Sequence, residues 1–283
     1  MSILVTGSSG YIGSGLVSKL RLNGINVAAC DFASTDFEEA LDYRELDLSR
    51  YSTIVHLAGH SSVPQSEANP EVSWSNNVEG FKRIVDNLTQ SQTLIYASSS
   101  SVYGITTRPV GEHEAKIDSI MHYDMQKTIV DAIALHAVEN GKRVFGLRFG
   151  TVSGLSPKTR WDLVVNAMVR SAKESNRVFL RNRRINRPLL FLGDAYRAIE
   201  LILLSSDSVP GVYNLASDNF QIGQIADEVS KLTGCEVVEG PDDPRPYDFQ
   251  INCQKFLSSF GEFRHDSLER VVKELMSFDF MRS

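Results

Sequence analysis

Ile3-Leu4-Val5-Thr6-Gly7-Ser8-Ser9-Gly10-Tyr11-Ile12-Gly13 is the stretch on which the fold turns. A short apolar run leads into three glycines, and apolar residues then recur at helical spacing as Ile12, Leu16, Val17 and Leu20. The pattern predicts a strand at Ile3 to Thr6, a tight turn and a helix, stopped by Asn23-Gly24, a left-handed termination signal. Glycines suit a backbone that must turn sharply and approach a ligand closely. Free amides and the positive end of the helix can receive a pyrophosphate there. A second strand is expected at Asn26 to Cys30, and it runs into Asp31, 18 residues beyond Gly13. A carboxylate at that place accepts hydrogen bonds from both hydroxyls of an adenosine ribose and repels a 2′-phosphate, which favours NAD over NADP.

Outward from this stretch, strands are expected at Thr53 to Leu57, Thr93 to Ala97 and Arg143 to Phe149, with helices near Val72 to Thr89 and Tyr123 to Asn140. Strands alternating with helices predict an α/β, Rossmann-type doubly wound parallel sheet. After Gly154 the pattern loosens into helices near Asp162 to Glu174, Ala195 to Leu204, Ile222 to Thr233 and Ser267 to Met276, interleaved with short strands. The expected division is a nucleotide-binding domain over 1–154, with 186–204 returning to it, and a smaller mixed α/β substrate-binding lobe mainly over 155–283. Pro241, Pro244 and Pro246 mark a loop in that lobe.

The chain has 283 residues and a formal charge of −6, which argues against nucleic acid or an anionic membrane as the main partner. Any anionic ligand must then be held by local arginines. Cys30, Cys235 and Cys253 lie far apart without metal-ligand spacing, so neither a disulfide scaffold nor a metal site is expected, and a reducing cytoplasm fits best. No window approaches the roughly 18 apolar residues of a membrane span.

The remaining motifs resemble the extended short-chain dehydrogenase/reductases, in particular the NAD-dependent epimerase/dehydratase family typified by UDP-galactose 4-epimerases, over nearly the whole chain. Thr6 to Gly13 is similar to the family's Thr-Gly-x-x-Gly-x-x-Gly loop, so Gly7, Gly10, Tyr11, Ile12 and Gly13 are expected cofactor contacts together with Asp31. Asp47-Leu48 resembles a pair that contacts adenine. His56-Leu57-Ala58-Gly59 resembles a strand end beside the cofactor, to which Leu57, Ala58 and Gly59 would contribute. Asn77-Val78 with Gly80 resembles the start of a helix whose asparagine supports the nicotinamide half. Ser98-Ser99-Ser100-Ser101-Val102-Tyr103-Gly104 matches a Ser-Ser-x-x-Val-Tyr-Gly signature in which Ser99 would be catalytic, and Tyr123 with Lys127 matches the Tyr-x-x-x-Lys pair. On the substrate side, Arg187 followed by Asp194, and Arg245 with Asp248, resemble segments whose arginines face a nucleotide diphosphate. Thr151 stands where epimerases often carry an asparagine near the substrate phosphates.

Tyr123 and Lys127 are four residues apart on a predicted helix, so both project from one face. A nearby ammonium favours the phenolate, which lets Tyr123 act as base near neutrality, while Ser99 donates to the reacting oxygen. Lys127 is also expected to hold the nicotinamide ribose. The resemblance implies an NAD-dependent nucleotide-sugar epimerase acting at C4 through a transient 4-keto intermediate, with a nucleotide-diphosphate sugar as substrate and a homodimer possible. The alternatives are a nucleotide 4-ketosugar reductase, a dehydratase, which would carry Asp-Glu where Ser100 and Ser101 stand, and a non-catalytic NAD-binding protein. Two further departures from the family pattern are the missing helix between Asp47 and Ile54, and Arg181 to Arg184 in place of a Gly-Asp-Gly stretch.

Overall fold

The computed structural model describes residues 2–32, 42–115, 121–244 and 247–279. In chain order the elements are β1 (Ile3–Thr6), α1 (Tyr11–Leu22), β2 (Val27–Cys30), β3 (Thr53–His56), α2 (Val63–Ala68), α3 (Pro70–Trp74), α4 (Gly80–Asn87), β4 (Thr93–Ser99), β5 (Pro109–Val110), α5 (His122–Glu139), β6 (Arg143–Phe149), β7 (Thr151–Ser153) and α6 (Val164–Ser175). They continue as β8 (Arg177–Leu180), β9 (Asn186–Phe191), α7 (Leu192–Leu204), β10 (Gly211–Leu215), β11 (Asp218–Gln221), α8 (Ile222–Thr233), β12 (Glu236–Glu239), β13 (Gln250–Ile251), α9 (Gln254–Phe260) and α10 (Leu268–Ser277). Two compact units result: Met1–Val102, Glu112–Arg148 and Ser206–Tyr213 form one, and Tyr103–Gly111, Phe149–Ser205 and Asn214–Ser283 form the other.

The first unit is built on a six-stranded sheet of order β10-β6-β4-β3-β1-β2. β1 pairs in parallel with β2 on one side and β3 on the other, setting Ile3 beside Val27 and beside Thr53, and β3 pairs in parallel with β4. Because the chain leaves β1 for one neighbour and reaches β3 as the other, the connections diverge at the carboxyl ends of these strands. Such a reversal of order opens the crevice in which doubly wound sheets bind ligands. Both faces of the strands are covered, which explains why Ile3, Leu4 and Val5 are all buried instead of alternating. Leu4, Ile54, Leu94 and Val144 of the sheet pack with Phe81 and Ile84 of α4 and Val130 and Ala134 of α5.

The helix expected near Val72 to Thr89 differs from the observed one. Helical structure begins at Val63, where the Ser62 hydroxyl caps the Gln65 amide, and breaks at Asn69-Pro70. Proline lacks the amide that would continue the hydrogen-bond ladder. Ser75–Glu79 then forms one π-helical turn before α4 resumes the regular spiral.

In the second unit β9 lies between β11, antiparallel, and β7, parallel. A separate parallel pair joins β8 to β12. Val165 and Val169 of α6, Ile225 and Val229 of α8 and Val272 and Leu275 of α10 close over this side as one apolar cluster. Residues 186–204, expected with the nucleotide-binding domain, form β9 and α7 and group with the second unit. The stretch that rejoins the first is Ser206–Tyr213, which leads into β10 at the edge of the six-stranded sheet.

Asp194, in the first turn of α7, holds the second unit's C-terminal segment. Its buried carboxylate accepts from the Ser217 hydroxyl at 2.6 Å and from the backbone amides of His265 at 2.7 Å and Asp266 at 3.1 Å. Asp194→Ala strands three donors at once, so we expect it to lower stability by about 3 kcal/mol, read as a reduced urea midpoint at unchanged slope. A midpoint equal to that of the parent would contradict this account.

Candidate active site

The glycine loop is held by contacts that exclude side chains. Gly7 has φ +71°, and a Cβ there would lie 2.6 Å from the Ala58 nitrogen and from the Leu57 carbonyl carbon. A Cβ on Gly13 would lie 2.1 Å from the Gly7 oxygen, and one on Gly10 would lie 3.1 Å from the same atom, to which the Gly10 amide donates at 3.0 Å. Tyr11 and Ile12 open α1, whose first turn carries no side-chain cap. Asp31 closes the loop from the end of β2 by accepting from the Ser9 amide at 2.8 Å. The result is a bare backbone cradle at the start of a helix with a carboxylate alongside. This is the shape and polarity that a dinucleotide's pyrophosphate and ribose require, so the residues present fit NAD.

The end of β3 supplies the next wall. Thr6 and His56 share a hydrogen bond of 2.8 Å between Oγ1 and Nδ1, and the Leu57 amide donates to the Thr6 carbonyl at 3.1 Å. His56 is buried, with its ring edge-on to Tyr43 at 4.9 Å between centroids. Burial, reinforced by the charge of Lys127, drives its pKa down to about 3. Asn77 lies within the π-helical turn. Its Oδ1 accepts from the His60 amide at 2.8 Å, while its Nδ2 donates to the His60 carbonyl at 3.1 Å and to Gln126 Oε1 at 2.8 Å. Gly59 must be glycine because a Cβ would lie 2.5 Å from the Asn77 oxygen. Asp47, by contrast, is exposed, and its carboxylate is engaged by the Ser49 amide at 3.1 Å and hydroxyl at 2.6 Å, while Leu48 is buried.

Near the end of β4, Lys127 of the expected Tyr-Lys pair reaches the strand that ends in Ser99. Lys127 Nζ donates to the Ala97 carbonyl at 2.7 Å and stands 5.7 Å from the centre of the Tyr123 ring. Burial lowers the Lys127 pKa to about 8, against the opposing attraction of Asp131. Ser99, two residues beyond Ala97, is the last residue of β4. Its Oγ lies 2.8 Å from the Ser101 Oγ and accepts from the Ser101 amide at 3.2 Å, which fixes the hydroxyl at the strand's carboxyl end. Sequence reasoning missed Gln126. It is buried between Tyr123 and Lys127 in sequence, and its Oε1 receives Ser73 Oγ at 3.0 Å as well as Asn77. The polar face of α5, with glutamine beside the Tyr-Lys pair, was the available signal.

The second unit holds the expected substrate residues Thr151 and Arg187. Thr151 opens β7, registered opposite Leu189 of β9. Arg187 of β9 packs against the edge-on pair of rings of Tyr247 and Phe249, 5.1 and 5.4 Å from their centres, which are themselves 5.2 Å apart, and donates to the Tyr247 carbonyl. Asp248 accepts from the Asn186 amide at 2.8 Å, which ties this aromatic clasp to β9. Arg245 lies outside the described residues. Arg183 of the basic cluster pairs on the surface with Asp227 at 2.8 Å and Glu239 at 2.7 Å. Among the described residues, no group of three or more His, Cys, Asp or Glu could hold a metal ion, and no helix is long and apolar enough to cross a membrane.

Comparison with known proteins adds the following. The model of the NAD dependent epimerase/dehydratase family matches residues 3–216. UDP-glucose 4-epimerase 3 of Oryza sativa subsp. japonica is 27% identical over 179 residues, covering 52% of this chain and 48% of that protein. The chain spans about half the length of the curated relatives it matches. MoeE5, solved in complex with UDP-glucose and NAD, superposes with a TM-score of 0.85 at 25% identity over 98% of this chain and 97% of its own. The UDP-glucose 4-epimerase of Thermotoga maritima, solved with UDP-glucose, has the same fold, with a TM-score of 0.85 at 23% identity over 100% of this chain and 99% of its own.

The neutral, buried His56 makes stability depend on acid. Its folded pKa lies below the unfolded value, so the unfolded chain binds the extra proton and stability falls as pH drops from about 6.5 toward 3. Between pH 7 and pH 5 this group alone should cost about 2 kcal/mol. Denaturant midpoints measured across that range should fall less steeply in His56→Gln than in the parent, and an imidazole that titrates near pH 6 by NMR would refute the assignment.

Proposed function

The chain belongs to the NAD dependent epimerase/dehydratase family, and on that premise we propose that it is an NAD-dependent nucleotide-sugar epimerase acting at C4 through a transient 4-keto sugar. The observation that carries this reading is the joining of Tyr123 and Lys127 to the end of β4 through the Lys127–Ala97 bond, in the same unit as the glycine cradle closed by Asp31. The similarity to MoeE5, solved with UDP-glucose and NAD, and to UDP-glucose 4-epimerases supports a uridine diphosphate sugar as the substrate class.

Bound NAD supplies the two-electron acceptor and donor for the sugar's C4. Gly7, Gly10 and Gly13 would hold its pyrophosphate, Asp31 its adenosine ribose and Lys127 its nicotinamide ribose, with Asn77 supporting that half through His60. Tyr123 takes the proton of the 4-hydroxyl in the oxidative half and returns it to the 4-keto oxygen in the reductive half. Lys127 carries the positive charge that favours the phenolate. Ser99 donates to the same substrate oxygen, where charge develops. Rotation of the keto sugar between the two halves inverts the centre. Arg187, with Arg245, would grip the diphosphate, with Thr151 nearby. Thiols instead of disulfides at all three cysteines support work in the cytoplasm, and a homodimer belongs to the same reading.

Incubating the purified protein with UDP-sugars without added reductant, and following C4 configuration by NMR, tests the proposal. A new 4-epimer without net redox change is the expected result. A requirement for added NADH or NADPH would replace it with a ketosugar reductase. In that assay Tyr123→Phe should reduce turnover about 100-fold or more while NAD binding persists, and near-parental turnover would remove Tyr123 from the role of base. Calorimetry should show NAD bound at least about tenfold more tightly than NADP, a preference that Asp31→Ala narrows.

A further inference from the structure

One helical turn beyond Lys127, on the same face of α5, Asp131 is buried at 2% exposure with both carboxylate oxygens engaged. Its Oδ1 accepts from the Tyr96 phenol at 2.8 Å, and its Oδ2 accepts from Arg148 Nε at 2.7 Å. Arg148, also buried, donates through Nη1 to the Glu112 carbonyl at 2.7 Å. Tyr96 precedes Ala97, whose carbonyl receives Lys127. Helix and strand are therefore joined by two rungs, one from each of two adjacent residues of β4. Gly146, two residues before Arg148 on β6, makes the room, since a Cβ there would lie 2.3 Å from the Tyr96 hydroxyl.

A buried ion pair is weak evidence for stability, because a well-packed apolar pair often serves as well or better. The arithmetic of charge points to another use. Lys127 is faced by Tyr123 and Asp131 from its own helix and by His56 from β3, while Tyr96 of β4 and Arg148 of β6 face Asp131. His56 stays neutral, and burial beside Asp131 holds the Tyr96 phenol well above its usual value, so it keeps its proton. Two cations and one anion remain, and the surplus positive charge lies beside the Tyr123 ring.

We propose that Asp131 is a positioning residue of the proton relay: pinned by Tyr96 and Arg148, it keeps Lys127 charged, while Arg148 takes enough of its field to leave a net positive charge for Tyr123. Without Asp131, the buried Lys127 would lose the attraction that favours its charged form and would give up its proton at lower pH. Without Arg148, Asp131 would act on Lys127 alone, and the lysine would hold its proton to higher pH. The catalytic meaning rests on the proposed role of Tyr123, whereas the coupling of charges does not.

The test follows the Cε resonance of Lys127, assigned through Lys127→Arg, in the full-length protein labelled with 13C-lysine. Asp131→Asn should move its midpoint down by about one pH unit, Arg148→Gln should move it up, and the double variant should return it near the parental value. For the epimerisation, the pH at which kcat declines on the alkaline side should move with each midpoint, while KM stays nearly constant. Opposite shifts support the proposal even if no nucleotide sugar is epimerised, since that result would overturn the functional reading alone. Midpoints unmoved in both single variants, with only a lower melting temperature, would reduce the network to a structural ion pair and overturn it. If Asp131→Asn does not fold, Arg148→Gln and the double variant decide: an unmoved or lowered midpoint in Arg148→Gln overturns the proposal.

Discussion

Backbone touching backbone at Gly7 is the constraint on which the first unit depends. A single Cβ at that position would press within 2.6 Å of the chain leaving β3, a distance that a close-packed interior can relieve only by shifting a strand. β1 and β3 could then not keep the register that places Thr6 against His56. Gly13 repeats the demand from the helix side, and Gly59 repeats it against the Asn77 amide. At all three positions the neighbouring atoms leave no room for a side chain.

From this edge, α5 carries chemistry into the site by its spacing. Tyr123, Lys127 and Asp131 recur every four residues, so one helical face presents a phenol, an ammonium and a carboxylate in sequence. The ammonium and the carboxylate are each referred to β4 by a specific bond. Lys127 reaches Ala97, Asp131 reaches Tyr96, and Gln126 ties the adjacent face to Asn77. The sheet thereby serves as a fixed reference for groups on a helix, which holds them more tightly than a loop would.

The glycine loop, the strand alternation and the Tyr-Lys spacing were legible in the sequence because each follows from local geometry: a turn that only glycine makes, a period, a helical repeat. Asp31 was legible as the residue that follows β2, and its bond to the Ser9 amide accounts for its place there. The break at Pro70 and the π-helical turn were not read, since apolar residues of Val72 to Thr89 fit an uninterrupted helix and the turn depends on a distant partner, the Tyr43 hydroxyl, which donates to the Asn76 carbonyl at 3.0 Å. Gln126 and Asp131 escaped because a polar residue on a helix usually faces water, and only the tertiary structure shows them covered. The grouping of 186–204 was equally non-local, being decided by how β9 pairs with β7 and β11.

The π-helical turn at Ser75–Glu79 has a consequence for which changes in chain length the protein can accept. A π turn holds one residue more than the α turn it replaces, so deleting a residue here would leave a continuous helix of ordinary geometry. Each residue of an α-helix advances the spiral by about 100°, and such a deletion would rotate everything before it relative to α4. Ser73 and Asn77 would no longer both meet Gln126, and Gly80 would no longer sit beneath the Tyr43 hydroxyl, which a Cβ there would meet at 2.0 Å. Relatives that keep this asparagine in contact with its glutamine should therefore keep the extra residue as well, while surface loops elsewhere lengthen and shorten freely.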